Sequence, residues 1–219
     1  HDLKTPLSVI QGYAESLLES NFDDTQKTIK YLQVIKDNVK KGAQLIKEML
    51  YAAELETSGA GLNVVPVDIY SFLMQKKESY EMLAKDKDIV FNVDVTYSNH
   101  AKKICPVDAA KLERVLDNIV SNSIRYVPEQ GAITINADIT CDDISFKICD
   151  TGKGFSNKDL SNLFNKFYRG DESRSSKNGH AGLGLYIVKR LVEMHGGSVA
   201  AFNAQNGGAC IKFDIHLLK

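Results

Sequence analysis

The sequence predicts an all-α helical hairpin followed by an α/β sandwich with a mainly antiparallel sheet. Apolar residues in the first part step by alternating fours and threes, through Leu3, Leu7, Ile10, Ala14 and Leu17 and again through Leu32, Ile35, Val39, Gly42, Ile46, Met49 and Ala53. This is the a/d pattern of helices that pack in a bundle. Ser58-Gly-Ala-Gly61 breaks it. Beyond the break, period-two strands interleave with helices, and Ile133–Ile139 and Ile144–Ile148 read as an antiparallel pair.

Helix one ends near Asn21, because Asn-Phe-Asp-Asp-Thr has loop composition, and Asp24 or Thr25 caps a second helix running to about Thr57. Helices of roughly 20 and 30 residues cannot bury both seams as an isolated hairpin, since so short a segment hides too little of its surface. A second copy completes a four-helix bundle. Homodimerisation through residues 1–57 therefore follows from the seam, with 58–61 as linker and 62–219 as a second domain. There Asp68 caps a helix from Ile69 to about Lys85, Ile89, Phe91, Val93 and Val95 alternate as a strand, and Lys103–Cys105 is a short apolar one. Asp108 begins a helix that reaches Tyr126 and stops before Pro128. Lys158–Phe164 is helical, and residues 169–181 form a polar, glycine-bearing, mobile loop. A helix over Gly184–His195 ends at Gly196-Gly197, and strands Ser198–Phe202 and Ala209–Leu217 pair across Asn206-Gly207-Gly208.

Of 219 residues, 43% are hydrophobic and 25% charged, which fits a globular chain and excludes a disordered tail. Lys and Arg number 27 against 28 Asp and Glu, so the net charge of −1 offers no whole-chain field for nucleic acid or acidic lipid. No run approaches the ~18–20 apolar residues of a membrane span, and His-Asp-Leu-Lys-Thr-Pro-Leu lacks a signal peptide's apolar core. The chain as given reads as soluble. Cys105, Cys141, Cys149 and Cys210 show no CxxC spacing and sit in apolar, strand-like runs. Buried, reduced thiols in a reducing compartment are the expectation.

With Leu3 and Leu7 on the buried seam, His1 and Thr5 fall one turn apart on the solvent side. Asp2 can accept the Nδ1 proton of His1 and leave Nε2 its lone pair as a nucleophile. Pro6 cannot donate to the carbonyl of Asp2 and loosens the helix there. A lone His-Asp is an ordinary exposed pair, and the seven-residue string is what singles it out. Asn118, Asn122 and Tyr126 share a helix face, with Arg125 beside them. Two amides there can offer oxygens to Mg²⁺, which takes its other ligands from phosphates and water; a solvated helix face has the same spacing. At Asp150-Thr-Gly152-Lys-Gly154-Phe155 a carboxylate can accept from an exocyclic amine such as adenine's, while the glycines let backbone approach a flat ligand; a β-turn is the plain alternative. Gly182-Leu183-Gly184-Leu185 opens the last helix, whose free N–H groups suit a di- or triphosphate. Phe164 and Phe167-Tyr168-Arg169 add an aromatic anchor and a cation for a γ-phosphate.

In this order, His1–Leu7, Asn118–Tyr126, Asp150–Gly154, Phe164–Arg169 and Gly182–Leu185 resemble the H, N, G1, F and G2 boxes of a bacterial two-component sensor histidine kinase core. The resemblance covers nearly the whole chain. It implies a dimerisation and phosphotransfer hairpin, then a GHKL-type ATP-binding domain of Bergerat fold that takes ATP with Mg²⁺. His1 resembles the phosphoacceptor, Asp2 its proton-accepting neighbour, and Thr5 the group that positions water when such kinases dephosphorylate their regulator. Asn122 resembles the Mg²⁺ ligand, Asn118 a helper at the phosphates, Arg125 and Tyr126 contacts to phosphate and adenine, and Asp150 the adenine-reading carboxylate. Gly152, Gly154, Gly182 and Gly184, with Phe167, Arg169, Leu183 and Leu185, shape the pocket under a lid from about Lys166 to Ala181. The implied partner is a response-regulator receiver domain, whose aspartate takes the phosphoryl group. His180 stands where the family often carries glycine. The family's first helix extends upstream, usually to a membrane sensor, which implies the cytoplasmic portion of a membrane-anchored protein. A GHKL ATPase motor and a nucleotide-binding dimerisation module without kinase activity are the rival readings. Asn118, at the position of the motors' glutamate, and His1 weigh against the first; the intact motifs weigh against the second.

Overall fold

The computed structural model describes residues 2–20, 22–57, 61–170 and 181–217. Its first two helices are α1 (Lys4–Glu19) and α2 (Thr25–Glu54). Asp24 caps α2, accepting from the Lys27 N–H at 3.0 Å. Tyr13 of α1 meets Tyr31 of α2 edge-on with ring centroids 4.8 Å apart, and Leu17 and Leu45 are buried. The seam is covered only in part. Ile10 and Ile35 are half-buried, whereas Leu7, expected on a buried seam, is 61% exposed, Leu32 50% and Val39 52%. Two helices share one line of contact, so an apolar stripe wider than that line must face away from it.

The second domain comprises β1 (Val65–Asp68), α3 (Ile69–Leu83), β2 (Val90–Tyr97), β3 (Ile104–Val107), α4 (Ala109–Tyr126), β4 (Ala132–Ile139), β5 (Asp143–Asp150), α5 (Asn157–Asn162), α6 (Gly184–Met194), β6 (Val199–Asn203) and β7 (Ala209–His216). Asp68 and Asp108 cap α3 and α4 through the N–H groups of Ser71 and Lys111, each at 3.0 Å. Asp108 also accepts from Asn63 N–H at 2.8 Å and Lys111 Nζ at 2.7 Å. Burial pushes its carboxyl up, but these bonds outweigh burial and hold it below the ordinary range.

The five-stranded sheet has the order β2-β4-β5-β7-β6, with β2 and β4 parallel and the other pairs antiparallel. Strand alternation turns Ile133, Ile135 and Ala137, Ile144, Phe146 and Ile148, and Phe213 and Ile215 into one buried face beneath α4 and α6. Phe146 stacks on Phe213 at 4.8 Å, an arrangement worth about 0.5–1.5 kcal/mol beyond its buried area. The opposite face carries Lys147 and Lys212, both exposed.

One strand goes unpredicted by the sequence, and one expectation needs correction. β1 and β3 form a separate two-stranded ribbon with Pro66 opposite Pro106. Pro66 hides the strand from periodicity, yet a ribbon of two edges tolerates a residue without an N–H. The cysteines are not all reduced and buried: Cys149 and Cys210 form a disulfide and Cys141 is exposed, while Cys105 is free and buried as expected. Sequence spacing conceals the bond, because the partners lie 61 residues apart and meet only through the register of β5 and β7.

Candidate nucleotide site

The buried stripe of α4 runs through Leu112, Leu116, Ile119 and Val120 to Ser123. Asn118, Asn122, Arg125 and Tyr126 flank that stripe and line a cavity of about 570 Å³. Asp150, Gly154, Arg169, Gly182, Gly184 and Leu185 line it too, so sequence-distant motifs meet in one place. Glu48 of α2 also reaches the wall, joining the hairpin to the site.

Asp150 closes β5 and is 8% exposed. Its Oδ2 accepts from Ser123 Oγ at 2.9 Å, and its Oδ1 accepts from the N–H groups of Gly152 at 2.9 Å and Ala209 at 3.3 Å. Each oxygen of this buried group is thus hydrogen-bonded, which offsets the cost of burying it. Oδ2, with only one of these donors, keeps a lone pair for a ligand.

Gly182, at φ +65°, lies where a Cβ would be 2.5 Å from the Tyr168 carbonyl oxygen, so only glycine lets the chain pass there before α6. Among the described residues no side chain caps α6, whose N-cap is Leu183. Its first N–H groups and positive dipole end are thus left for an anion. Asp159, also on the wall, accepts from Ser156 Oγ at 2.6 Å and Tyr168 OH at 3.0 Å. Burial raises its carboxyl, but the bonds from Ser156 and Tyr168 prevail and keep it ionised below the usual range. Lys153 lies over the Tyr126 ring at 6.0 Å.

Three of the expected contacts do not line the cavity. Gly152 acts on it through Asp150, Leu183 is buried in the core, and Phe167 is 50% exposed, its N–H bonded to the Gly182 carbonyl at 3.1 Å. In the hairpin, Thr5 is exposed on α1 and Asp2 lies 3.7 Å from Arg169 Nη1. His1 and residues 171–180, including His180 and most of the expected lid, lie outside the described residues.

Asn118 Nδ2 is buried without a hydrogen-bond partner among the described residues, which leaves a donor ready for a phosphate oxygen. Asn122 lines the cavity one turn on, and an amide oxygen suits a hard cation that keeps phosphate and water oxygens. The donor set fits Mg²⁺ with a nucleotide. No sequence motif singles out Ser123. Its signal was a small hydroxyl at helical spacing on an otherwise apolar stripe, where a buried partner is obligatory.

Residues 107–219 match the model for histidine kinase-, DNA gyrase B- and HSP90-like ATPases, and residues 1–58 match that of the His Kinase A phospho-acceptor domain. The chain belongs to the histidine kinases. This kinase core is 29% identical over 217 residues to the sensor histidine kinase WalK of Bacillus subtilis, covering 98% of this chain and 35% of WalK. It thus spans about a third of the length of the curated relatives it matches. Full-length ShkA, solved in complex with AMPPNP, is 26% identical with a TM-score of 0.75, covering 100% of the kinase core and 45% of ShkA. ThkA, solved in complex with the response regulator TrrA, shares the fold at 20% identity and a TM-score of 0.76, covering 100% of this chain and 59% of that one. No described helix of the kinase core is long and apolar enough to cross a membrane.

Proposed function

We propose that this chain transfers the γ-phosphoryl group of ATP to His1 and passes it to an aspartate of a response regulator. The observation that carries the reading is the Asp2–Arg169 ion pair: the residue beside His1 meets a cation of the nucleotide cavity in the same chain. Nε2 of His1 attacks the γ-phosphorus, the bond to the β,γ-bridging oxygen breaks, and ADP leaves. Asp2 accepts the Nδ1 proton and Arg169 balances charge on the transferred oxygens. Asp150 reads the adenine amine, Tyr126 packs on the base, and the start of α6 receives the phosphates. Mg²⁺, held by Asn122, supplies charge neutralisation when bound with the nucleotide. The uncovered seam around Leu32 pairs with a second copy, and the exposed Thr5 orients water for dephosphorylation of the regulator, the class of partner with which ThkA was solved. Membrane anchoring, as in a sensor, would come from segments outside this chain.

The ion pair within one chain favours transfer in cis. Chains carrying His1→Gln should bind ATP yet take up no acid-labile phosphate, and mixing them with Asn122→Ala chains should not restore labelling in the mixed dimer. Labelled His1→Gln protein would end the assignment of His1, and restored labelling would reverse the cis reading.

A further inference from the structure

We infer that the Cys149–Cys210 disulfide is a redox modification site, opened by a dithiol reductant, that sets the affinity of the nucleotide cavity. This rests on the reading of Asp150 as the nucleotide-binding carboxylate.

Cys149 and Cys210 are a register pair on β5 and β7, with Cα atoms 4.1 Å apart. The next position on each strand belongs to the site: Asp150 follows Cys149, and Ala209 precedes Cys210. Ala209 donates its N–H to Asp150 Oδ1 at 3.3 Å, the longest of the three bonds that hold the carboxylate. Gly208, at φ +97°, passes so close that a Cβ there would lie 1.9 Å from the Asp150 carbonyl oxygen. The disulfide is therefore the last covalent rung before the pocket, and strand alternation puts its sulfurs on the face away from α4 and α6.

That face can be reached. Cys149 is half-buried there while Cys210 is 1% exposed, so attack falls on Cys149, and the preceding rung on the same face is Lys147 opposite Lys212, both exposed. Lys212 lies 4.0 Å from Asp214 and Lys147 lies 5.9 Å over the Phe202 ring. Two ammonium groups one step from the sulfurs favour a departing thiolate and draw an attacking one.

The exchange is balanced. A thiolate of the dithiol attacks Cys149 Sγ, the bond to Cys210 Sγ breaks, and Cys210 leaves as thiolate. The reductant's second thiolate then attacks its own sulfur in the mixed disulfide and releases Cys149. The reductant ends as a cyclic disulfide, two electrons pass to the protein, and each cysteine takes a proton from water. Without the rung, the Ala209 and Gly208 backbone can draw away from Asp150, which loses a donor. Loss of one of the bonds that position the carboxylate predicts ATP binding about three- to tenfold weaker, the worth of an ordinary hydrogen bond.

The test uses the whole chain, oxidised with diamide or reduced with dithiothreitol. Maleimide labelling of denatured protein should count two thiols in the oxidised chain, from Cys105 and Cys141, and four after reduction. Calorimetry should show the weaker ATP binding in the reduced chain alone. Cys149→Ser should match the reduced wild type and ignore dithiothreitol, while Cys141→Ser should keep the response. If Cys149→Ser does not fold, the two states of the wild type decide by themselves. Four thiols after diamide, or equal ATP affinity in both states, overturns the proposal. Should ATP affinity also ignore Asp150→Asn, it is the reading of the pocket that fails; an effect of Asp150→Asn with none of redox state removes only the switch.

Discussion

Asp150→Asn is the sharpest perturbation of the nucleotide site, because the surrounding donors dictate how the new amide must sit. Gly152 and Ala209 both donate to Oδ1, so the amide oxygen occupies that place and its NH₂ group takes the place of Oδ2. The Ser123 hydroxyl, 2.9 Å away, can turn from donor to acceptor, and the fold should survive. The NH₂ group then faces the adenine amine, donor against donor. Loss of a charge-assisted hydrogen bond of about 1.5–3 kcal/mol corresponds to ATP binding weaker by about tenfold to 150-fold. Inosine triphosphate, with a carbonyl in place of the amine, should bind the variant better than ATP does. Calorimetric titration with both nucleotides, after circular dichroism confirms the fold, measures this inversion. A folded variant that binds ATP as the wild type does, or loses both nucleotides equally, would refute the placement of Asp150 against the base.

Ser123→Ala should weaken ATP about three- to tenfold in the same titration, since Oδ2 loses its one donor among the described residues while Oδ1 keeps both. Leu32→Asp, on the uncovered side of α2, should give folded monomers by light scattering, whereas Ile35→Asp should also melt the hairpin in which Ile35 is half-buried. Asp108 titrates below its ordinary range in the folded chain, so its contribution to stability is complete above about pH 4–5 and is lost as pH falls through the lowered folded value. Asp108→Asn should flatten that acid limb in chemical denaturation, and an unchanged limb would assign it to other carboxylates.

Local signals determined much of this protein. Caps at Asp24, Asp68 and Asp108 begin helices where the sequence places them, because a carboxylate and the N–H three residues on interact within one turn. Alternation in Ile133–Ile139 and Ile144–Ile148 sets both the strands and their buried face, since side-chain direction in a strand depends only on parity. The motifs of α4, β5 and α6 named the chemistry for the same reason: glycines, amides and a carboxylate at fixed offsets carry their meaning locally. What the chain could not state in one dimension is who meets whom. Ser123 beneath Asp150, Glu48 in the cavity wall, Asp2 against Arg169 and Cys149 bonded to Cys210 are encounters between segments 27, 61 or more residues apart. Phe167 shows the converse, an aromatic in the right motif that faces solvent because its backbone is tied to Gly182. Register between strands and the docking of α2 on the second domain are fixed by the packing of the whole core, and only the folded chain contains that information.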